Sequence, residues 1–539
     1  MGKWQRVLVV MATFSIAVAL RAGPLHFSPL PFNPDGIHYA GQATITVTSG
    51  SLPIAQMPVD DFAFTAFLAL ISSLTDVPPR YIAQPAIAVV GAIPVLLVIP
   101  VGHRIARDIE GFNLANGGIY ASGLIAVDGL YLHRSMAVDE QTLGLLFVPL
   151  VAVTIAVAIL RGDRRWLVPL GIALLALPPT HNLDSIIAAI ALLLLSVFVA
   201  RTEDNRTLVA SLVIFVAFTT YFIAYNFLVA EFTRARIIQE QFITQAPGLF
   251  LGWLILGMAG MAWLSRTRAS TIRRIGGGIF AFMFFVLGLN AVVPVFPGMQ
   301  GTPLLMLALL SPLLVPVTIA TWGIPLQRNT KWGRPFLAII GAVITLIGLG
   351  LTAALTPDYL NLLYRAQTFL HVPVMLAAGL GIGVLAKSRR ARWGIVIVTL
   401  IATAAAIPIA FSGLELLSYK GITEPTELSA SDFAVHHLPR QWTTDDHLAR
   451  ITGYWINSSM VSRRPILTWA SGGPPPNCPT LIQRSWATVG AQMYPRPPII
   501  VTDARIERFQ VQNEVVYSGG DHDRITLVIS NDGNESNGC

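Results

Sequence analysis

Charge is scarce in this chain. Of its 539 residues, 12% are charged and 54% are hydrophobic, with a mean hydropathy of +0.63. Soluble proteins carry about 25% charged residues. Half that share over so long a chain excludes a soluble globular enzyme, a disordered protein and a nucleic-acid binder. Cysteine is nearly missing: Cys478 and Cys539 are the two present, which excludes a disulfide scaffold, an iron–sulfur cluster and a structural zinc cluster. Lysine occurs only at positions 3, 331, 387 and 420, so the net charge of +7 is almost all arginine. No internal repeat is visible, which weighs against the inverted-repeat transporter folds.

What the chain has instead is long apolar runs. Crossing a membrane as a helix takes about 20 mostly apolar residues. Runs of that kind fall near 5–22, 83–102, 113–131, 141–160, 166–180, 184–200, 207–230, 248–265, 276–295, 303–322, 335–355, 369–386 and 393–413, which makes 13 spans. The run Phe62–Asp76 is about 15 residues long and ends at Pro78-Pro79; that length suits an interfacial or re-entrant segment. The first 22 residues look like a signal peptide but lack a small-residue cleavage site, so they are read as span 1.

Charge tests this division. With the N-terminus inside, the inner segments hold 20 Lys and Arg residues, from Lys3 and Arg6 through Arg328, Lys331 and Arg334 to Lys387–Arg392. The outer loops before the tail hold six: Arg21, Arg80, Arg134, Arg234, Arg236 and Arg365. The bias alternates at every loop, as the positive-inside rule requires. Counting Phe62–Asp76 as a span would invert every later loop. The expected topology is a multi-pass protein of the cell membrane, N-terminus cytoplasmic and C-terminus extracellular.

Two external regions stand out by size. The first loop, 23–82, is Pro-rich and holds Asp35, Asp60 and Asp61; the last two read as caps of a helix beginning at Phe62. Residues 1–413 form the expected all-α transmembrane domain, and 414–539 a mixed α/β external domain. In the latter, Thr444-Asp445-Asp446 reads as a capped helix start, and Ile499–Thr502 and Ile525–Ser530 as strands. The sequons at Asn457 and Asn534 lie outside and that at Asn205 inside. A Cys478–Cys539 bridge is permitted on an external face, but the long separation in sequence and the terminal position of Cys539 weigh against it. His436, His437 and His447 lack a convincing ligand spacing and read as solvated surface.

The remaining external loops are short, so their polar residues are informative. Asp35 follows span 1 in Asn33-Pro34-Asp35-Gly36-Ile37-His38-Tyr39, and Asp139-Glu140 opens span 4 after His133-Arg134-Ser135. His181 lies between spans 5 and 6, Arg234 and Arg236 follow span 7, and Arg365 precedes span 12. Carboxylates from two loops at one membrane face can hold a divalent cation, which would neutralise a phosphate leaving group. Arg and His at the same level can grip phosphate oxygens. Each residue also has a plainer role: Asp-Gly makes turns, acids favour helix N-termini, and arginines anchor at headgroups. Asp128 lies inside span 3, where an ionisable residue is functional by default, yet only about a turn from the surface.

The order of parts resembles the GT-C superfamily of membrane glycosyltransferases, and within it the catalytic subunit of oligosaccharyltransferases. That family has 13 spans, a long first external loop with a catalytic Asp, and a soluble external C-terminal domain. Its second external loop carries an Arg-Ser…Ala…Asp-X-Glu motif, to which Arg134-Ser135-Met136-Ala137-Val138-Asp139-Glu140 is similar, with the acids adjacent as in protein mannosyltransferases. Tyr364-Arg365-Ala366-Gln367-Thr368-Phe369 resembles the Arg segment before the twelfth span. The tail has no Trp-Trp-Asp-Tyr-Gly motif, with Thr468-Trp469-Ala470-Ser471-Gly472 a poor substitute, and the loop between spans 9 and 10 has no Glu.

The resemblance implies sugar transfer from a polyprenyl- or dolichyl-phosphate donor to a protein, lipid or glycan acceptor on the external face. Asp35, Asp139 and Glu140 would be catalytic and hold Mg or Mn; His181, Arg234, Arg236 and Arg365 would bind the donor phosphate. Two alternatives are a transporter or flippase of lipid-linked glycans and a non-catalytic scaffold of the same fold. Ionisable residues are almost absent from mid-span positions, which disfavours a permeation path.

Overall fold

The structure is a computed structural model that describes residues 3–109, 116–233, 245–295, 301–353, 357–386, 388–411, 420–438, 441–455, 461–494, 496–520, 523–530 and 539. The chain is a multi-pass membrane protein. Among the described residues, eleven helices are long and apolar enough to cross a membrane. They match eleven of the thirteen expected spans, and the other two differ for physical reasons. The third is split into α5 (Gly117–Val127) and α6 (Gly129–Ser135). Asp128 causes the split: its backbone is extended, and its side chain caps α6 at the Tyr131 amide. The fifth is a short helix, Leu167–Ala176, entered through a single 3-10 turn.

Before the split span, α1 (Lys3–Arg21) leads into a first loop that carries α2 (Pro34–Ser49) and α3 (Phe62–Thr75). At 14 residues α3 is too short to cross. Its Phe64 and Leu68 are buried against Tyr39 of α2 and Ile87 of the next helix, while Leu70 and Leu74 are exposed. The 30-residue α4 (Pro79–Asp108) tolerates Pro85, Pro94 and Pro100, since neighbouring helices can re-satisfy freed backbone groups within a bundle. Then α7 (Glu140–Ile155) begins beside α2 and α4.

The tail builds a five-stranded sheet in the order β2-β1-β3-β7-β6, from β1 (Trp442–Thr443), β2 (Val461–Ser462), β3 (Thr480–Gln483), β6 (Glu514–Gly519) and β7 (Ile525–Ile529). β1 runs parallel to β2 and β3, and β7 is antiparallel to β3 and β6. A separate hairpin pairs β4 (Ala491–Met493) with β5 (Arg496–Ile499). Asp445 caps the expected helix, which spans Asp446–Ile451, and β7 lies where a strand was expected. The segment after Ile499 is not a strand, because the helix Asp503–Gln512 begins there. Cys478 and Cys539 are disulfide-bonded, with their Cα atoms 5.7 Å apart. The sequons at Asn457 and Asn534 lie outside the described residues.

Loop 1 and tail share one apolar core: Leu30 and Ile37 pack with Trp442, Leu448, Leu481 and Leu527. α2 also meets the turn after the Asp446 helix closely. A Cβ on Gly41 would stand 2.4 Å from the Tyr454 carbonyl oxygen. This docking fixes what the tail presents to the mouth of the bundle.

Candidate functional site

The site is assembled from two chain segments that only tertiary contact brings together. Gln84 of α4, fully buried, donates to the carbonyls of Arg21 (3.0 Å) and Met136 (2.9 Å) and accepts from the Phe32 amide (2.9 Å). The Val138 amide donates back to the Phe32 carbonyl at 2.8 Å. Residues 32–36 and 136–139 therefore lie side by side. A Cβ on Gly36 would come within 2.7 Å of Val138 Cβ, so only glycine fits there.

Asn33 sits at φ 88° and caps α2, accepting from the Asp35 amide at 3.3 Å. Its Nδ2 donates to Asp139 Oδ2 at 3.2 Å. Asp139 caps α7 in turn, accepting from the Gln141 amide at 2.9 Å, and faces Arg134 at 3.6 Å. Burial raises the Asp139 pKa, but Arg134, a hydrogen bond with Glu140, and Arg365 outweigh it and hold the carboxyl at about 2. These neighbours favour the ionised form of Asp139.

Glu140 accepts from the Tyr39 hydroxyl and lies 3.6 Å from Arg365 and 3.5 Å from His181. Arg365 donates to Gln141 Oε1 at 3.3 Å and to His181 Nε2. Burial, and then Arg365, lower the His181 pKa well below its ordinary value. The ring is neutral and accepts from the guanidinium, with its Nδ1 3.1 Å from Asp184.

Asp35 points the other way, toward the tail, where Arg450 Nη1 binds its Oδ1 at 2.7 Å. Tyr494, between β4 and β5, packs its ring 5.0 Å from the Arg450 guanidinium. Burial raises the Tyr494 pKa, while Arg365, Arg134 and Arg450 lower it. One phenol at the mouth thus feels the charge of three arginines, with Arg450 against its ring. Behind it, the Arg134 guanidinium lies over the Tyr364 ring at 5.2 Å, and Tyr364 bonds His133 at 3.0 Å.

Several expectations change. Asp60 and Asp61 are not helix caps; the Asp61 side chain makes no cap bond and is 5% exposed. Burial and the neighbouring Asp60, Asp35 and Asp139 push the Asp61 pKa well up, and the Tyr39 hydroxyl bonds it. Asp60 is raised too, mainly by burial, and takes a hydrogen bond from the Asn182 amide. His447 is not solvated surface: it is fully buried, with Nε2 3.1 Å from Glu427. His436 and His437 are exposed, as expected. Asp128 does pair, with His371 at 2.5 Å. Arg234 and Arg236 lie outside the described residues.

The expected metal triad is not assembled. Among the described residues, no three His, Cys, Asp or Glu side chains gather so as to hold a metal ion. The reason is visible in the pairing: Asp35 turns to Arg450, Asp139 to Arg134 and Asn33, and Glu140 to Tyr39 and Arg365. These residues as placed do not fit a shared divalent cation. Sequence reading missed Asn33, Tyr39, Arg450 and Tyr494 as site residues. Tyr39 had a signal, lying four residues after Asp35 on the same helix face.

Fold and site together define a polytopic membrane protein with an α/β tail set over a carboxylate–arginine site. Among solved structures, the chain is similar to the archaeal oligosaccharyltransferase AglB from Archaeoglobus fulgidus in complex with an inhibitory peptide and a dolichol-phosphate. That match has a TM-score of 0.54 at 13% identity, over 86% of this chain and 65% of AglB. The same enzyme tethered to an acceptor peptide containing the NVT sequon matches with a TM-score of 0.53 at 13% identity, over 84% and 63%. Its complex with Zn and sulfate matches at 0.50 and 13%, over 83% and 61%. This chain thus spans less than two thirds of AglB's length. No protein-family model and no curated protein sequence matches it.

Proposed function

We propose that this protein is a membrane glycosyltransferase that moves a sugar from a polyprenyl- or dolichyl-phosphate to an acceptor hydroxyl on the extracellular face. The observation that carries the reading is the pairing of Arg134 and Arg365 with Asp139 and Glu140 at 3.6 Å. These contacts are long for charge-assisted hydrogen bonds, so the carboxylates hold both guanidiniums loosely and an incoming phosphate can compete for them. His181, neutral and already bonded to Arg365, keeps that guanidinium aimed. The fold shared with AglB, solved with a dolichol-phosphate, supports the same donor class.

In the transfer, the acceptor O–H gives its proton to Asp35 while its oxygen bonds to the sugar's anomeric carbon. The bond from that carbon to the phosphate oxygen breaks, and the polyprenyl phosphate leaves with the electron pair, its charge met by Arg365 and Arg134. The ionised Asp139 holds Arg134 and, through Asn33, the turn that carries Asp35. Ionisable residues are almost absent from mid-span positions, which disfavours a polar path for a flippase.

The test is release of polyprenyl phosphate from dolichyl- and decaprenyl-phosphate hexoses and pentoses by the full chain in lipid nanodiscs. Release is expected from the wild type, with loss in both Asp35→Asn and Arg365→Gln proteins that keep the wild-type melting profile. Wild-type-like release in Asp35→Asn would remove Asp35 as the base, and no release from the wild type would end the enzyme reading and leave the scaffold.

A further inference from the structure

We propose that Arg450, in the tail, is the positioning residue that aims the Asp35 carboxylate at the acceptor, so that the tail is a working part of the site. This rests on the transferase reading above.

The second residue of a helix is a place where a carboxylate usually turns back onto exposed backbone amides. Asp35 is spared that task, because Asn33 already caps α2. Its side chain is 34% exposed and would sample several rotamers if nothing held it. Arg450 Nη1 binds Oδ1 at 2.7 Å. Oδ2 has no hydrogen-bond partner among the described residues and stays open to an incoming hydroxyl.

Arg450 is itself held from behind. Its Nε donates to Asp446 Oδ2 at 2.7 Å, one turn back on the same helix, and Arg463 binds the other oxygen of Asp446. The Tyr494 ring covers the guanidinium. The helix carrying Arg450 is capped by Asp445, which also takes the Trp486 indole N–H and the Gln492 amide, each at 3.0 Å. That helix is locked to α2 by the Gly41–Tyr454 approach and by His38 Nδ1 on the Gly453 carbonyl at 3.0 Å. Guanidinium and carboxylate are thus fixed by one rigid docking.

Magnitude separates orientation from glue. A half-exposed ion pair contributes about 0–1 kcal/mol to stability, little beside the shared apolar core that already docks the tail. A reacting group displaced by about 1 Å, by contrast, costs on the order of 10²-fold in rate. The pair therefore acts on the rate far more than on the fold.

Two measurements on the full chain in nanodiscs test this. The first is carbodiimide labelling of carboxyls read by mass spectrometry, with the exposed Asp76 as reference. In Arg450→Gln, labelling of Asp35 should rise several-fold while Asp76 is unchanged. The second is turnover of polyprenyl-phosphate sugars. Arg450→Gln should lower kcat by about 10–100-fold with the donor KM within about twofold, and Arg450→Lys should recover at least about tenfold of the loss. Asp446→Asn, which loosens Arg450 but keeps its charge, should fall between. Unchanged Asp35 labelling in Arg450→Gln overturns the proposal. So does a raised donor KM at constant kcat, which would make Arg450 a phosphate ligand, or a lysine variant as slow as the glutamine one. If labelling responds but the wild type turns over no polyprenyl-phosphate sugar, the transferase reading falls and the clamp stands.

Discussion

Asn33 donates to the Asp139 carboxylate across 3.2 Å, and with that bond the first loop and the start of α7 become one unit. The same side chain caps α2 at φ 88°, so it serves a local and a long-range purpose at once. The two can be separated. Asn33→Ala removes the cap and places a Cβ in a positive-φ backbone, and should cost about 1–2 kcal/mol; Asn33→Gly should cost only a few tenths of a kcal/mol. Both lose the Asp139 bond. Matching losses of turnover with unequal drops in Tm are the expected result; if turnover tracks Tm instead, the bond to Asp139 has no role in catalysis.

Arg134 holds Asp139 ionised against its burial, at a pKa of about 2. A depressed acid stabilises the fold above the unfolded pKa of about 3.9, and that contribution fades as pH falls toward the folded value. Removing the guanidinium leaves a buried carboxylate without its counter-charge, a loss of about 3–5 kcal/mol for a buried pair. Arg134→Gln should therefore lower Tm at pH 7, and its acid loss of stability should begin at a higher pH than in the wild type. Thermal scanning from pH 3 to pH 8 reads both. Superimposable curves would show that the pair contributes nothing.

How much of this was legible follows from distance along the chain. Asp35, Asp139 and Arg365 are legible because short loops, alternating charge and an order of parts that resembles a known superfamily single them out one by one. Arg450 is not: it is 415 residues from Asp35, and nothing in its neighbourhood marks a site until the tail docks on α2. Asp60 and Asp61 misled for the opposite reason, since an acid before an apolar run reads as a cap, and only packing against Tyr39 and Asn182 turns them inward. Eleven of the thirteen expected spans are long apolar helices, and the fifth shortens to Leu167–Ala176. The third breaks at Asp128, where one polar side chain supplies a local cap that an unbroken helix would not need.

The inward turn of Asp61 has a measurable consequence. Burial, followed by Asp60, Asp35 and Asp139, raises its pKa, so the folded state favours the neutral carboxyl. A raised acid weakens the fold as pH climbs above the unfolded pKa, because only the unfolded chain ionises freely. Asp61→Asn, which copies the neutral form, should raise Tm at pH 7 and leave it unchanged near pH 4. A lower Tm at pH 7 would mean that the folded site holds Asp61 as an anion.

Glu427 offers the clearest test of the tail's own stability. It is fully buried, with Lys420 Nζ at 2.7 Å, Gln483 Nε2 at 2.5 Å and His447 Nε2 at 3.1 Å. Burial raises its pKa, but His447 and Lys420 outweigh that and bring it to about 2. Lys420 lies in the stretch that leads from the last span into the tail, so the cluster pins that connection to the helix Pro425–His437 and to β3. Glu427→Gln should cost about 1–3 kcal/mol, because it takes from Lys420 its nearest carboxylate and leaves it Glu424 at 3.6 Å and Asp523 at 3.8 Å, whereas the double variant Lys420→Met, Glu427→Gln should recover part of that loss. Limited proteolysis and tail melting in the wild type, Lys420→Met, Glu427→Gln and the double variant give the coupling energy. Strictly additive losses would show that Lys420 and Glu427 stabilise the tail independently, and that the connection is held by the apolar core alone.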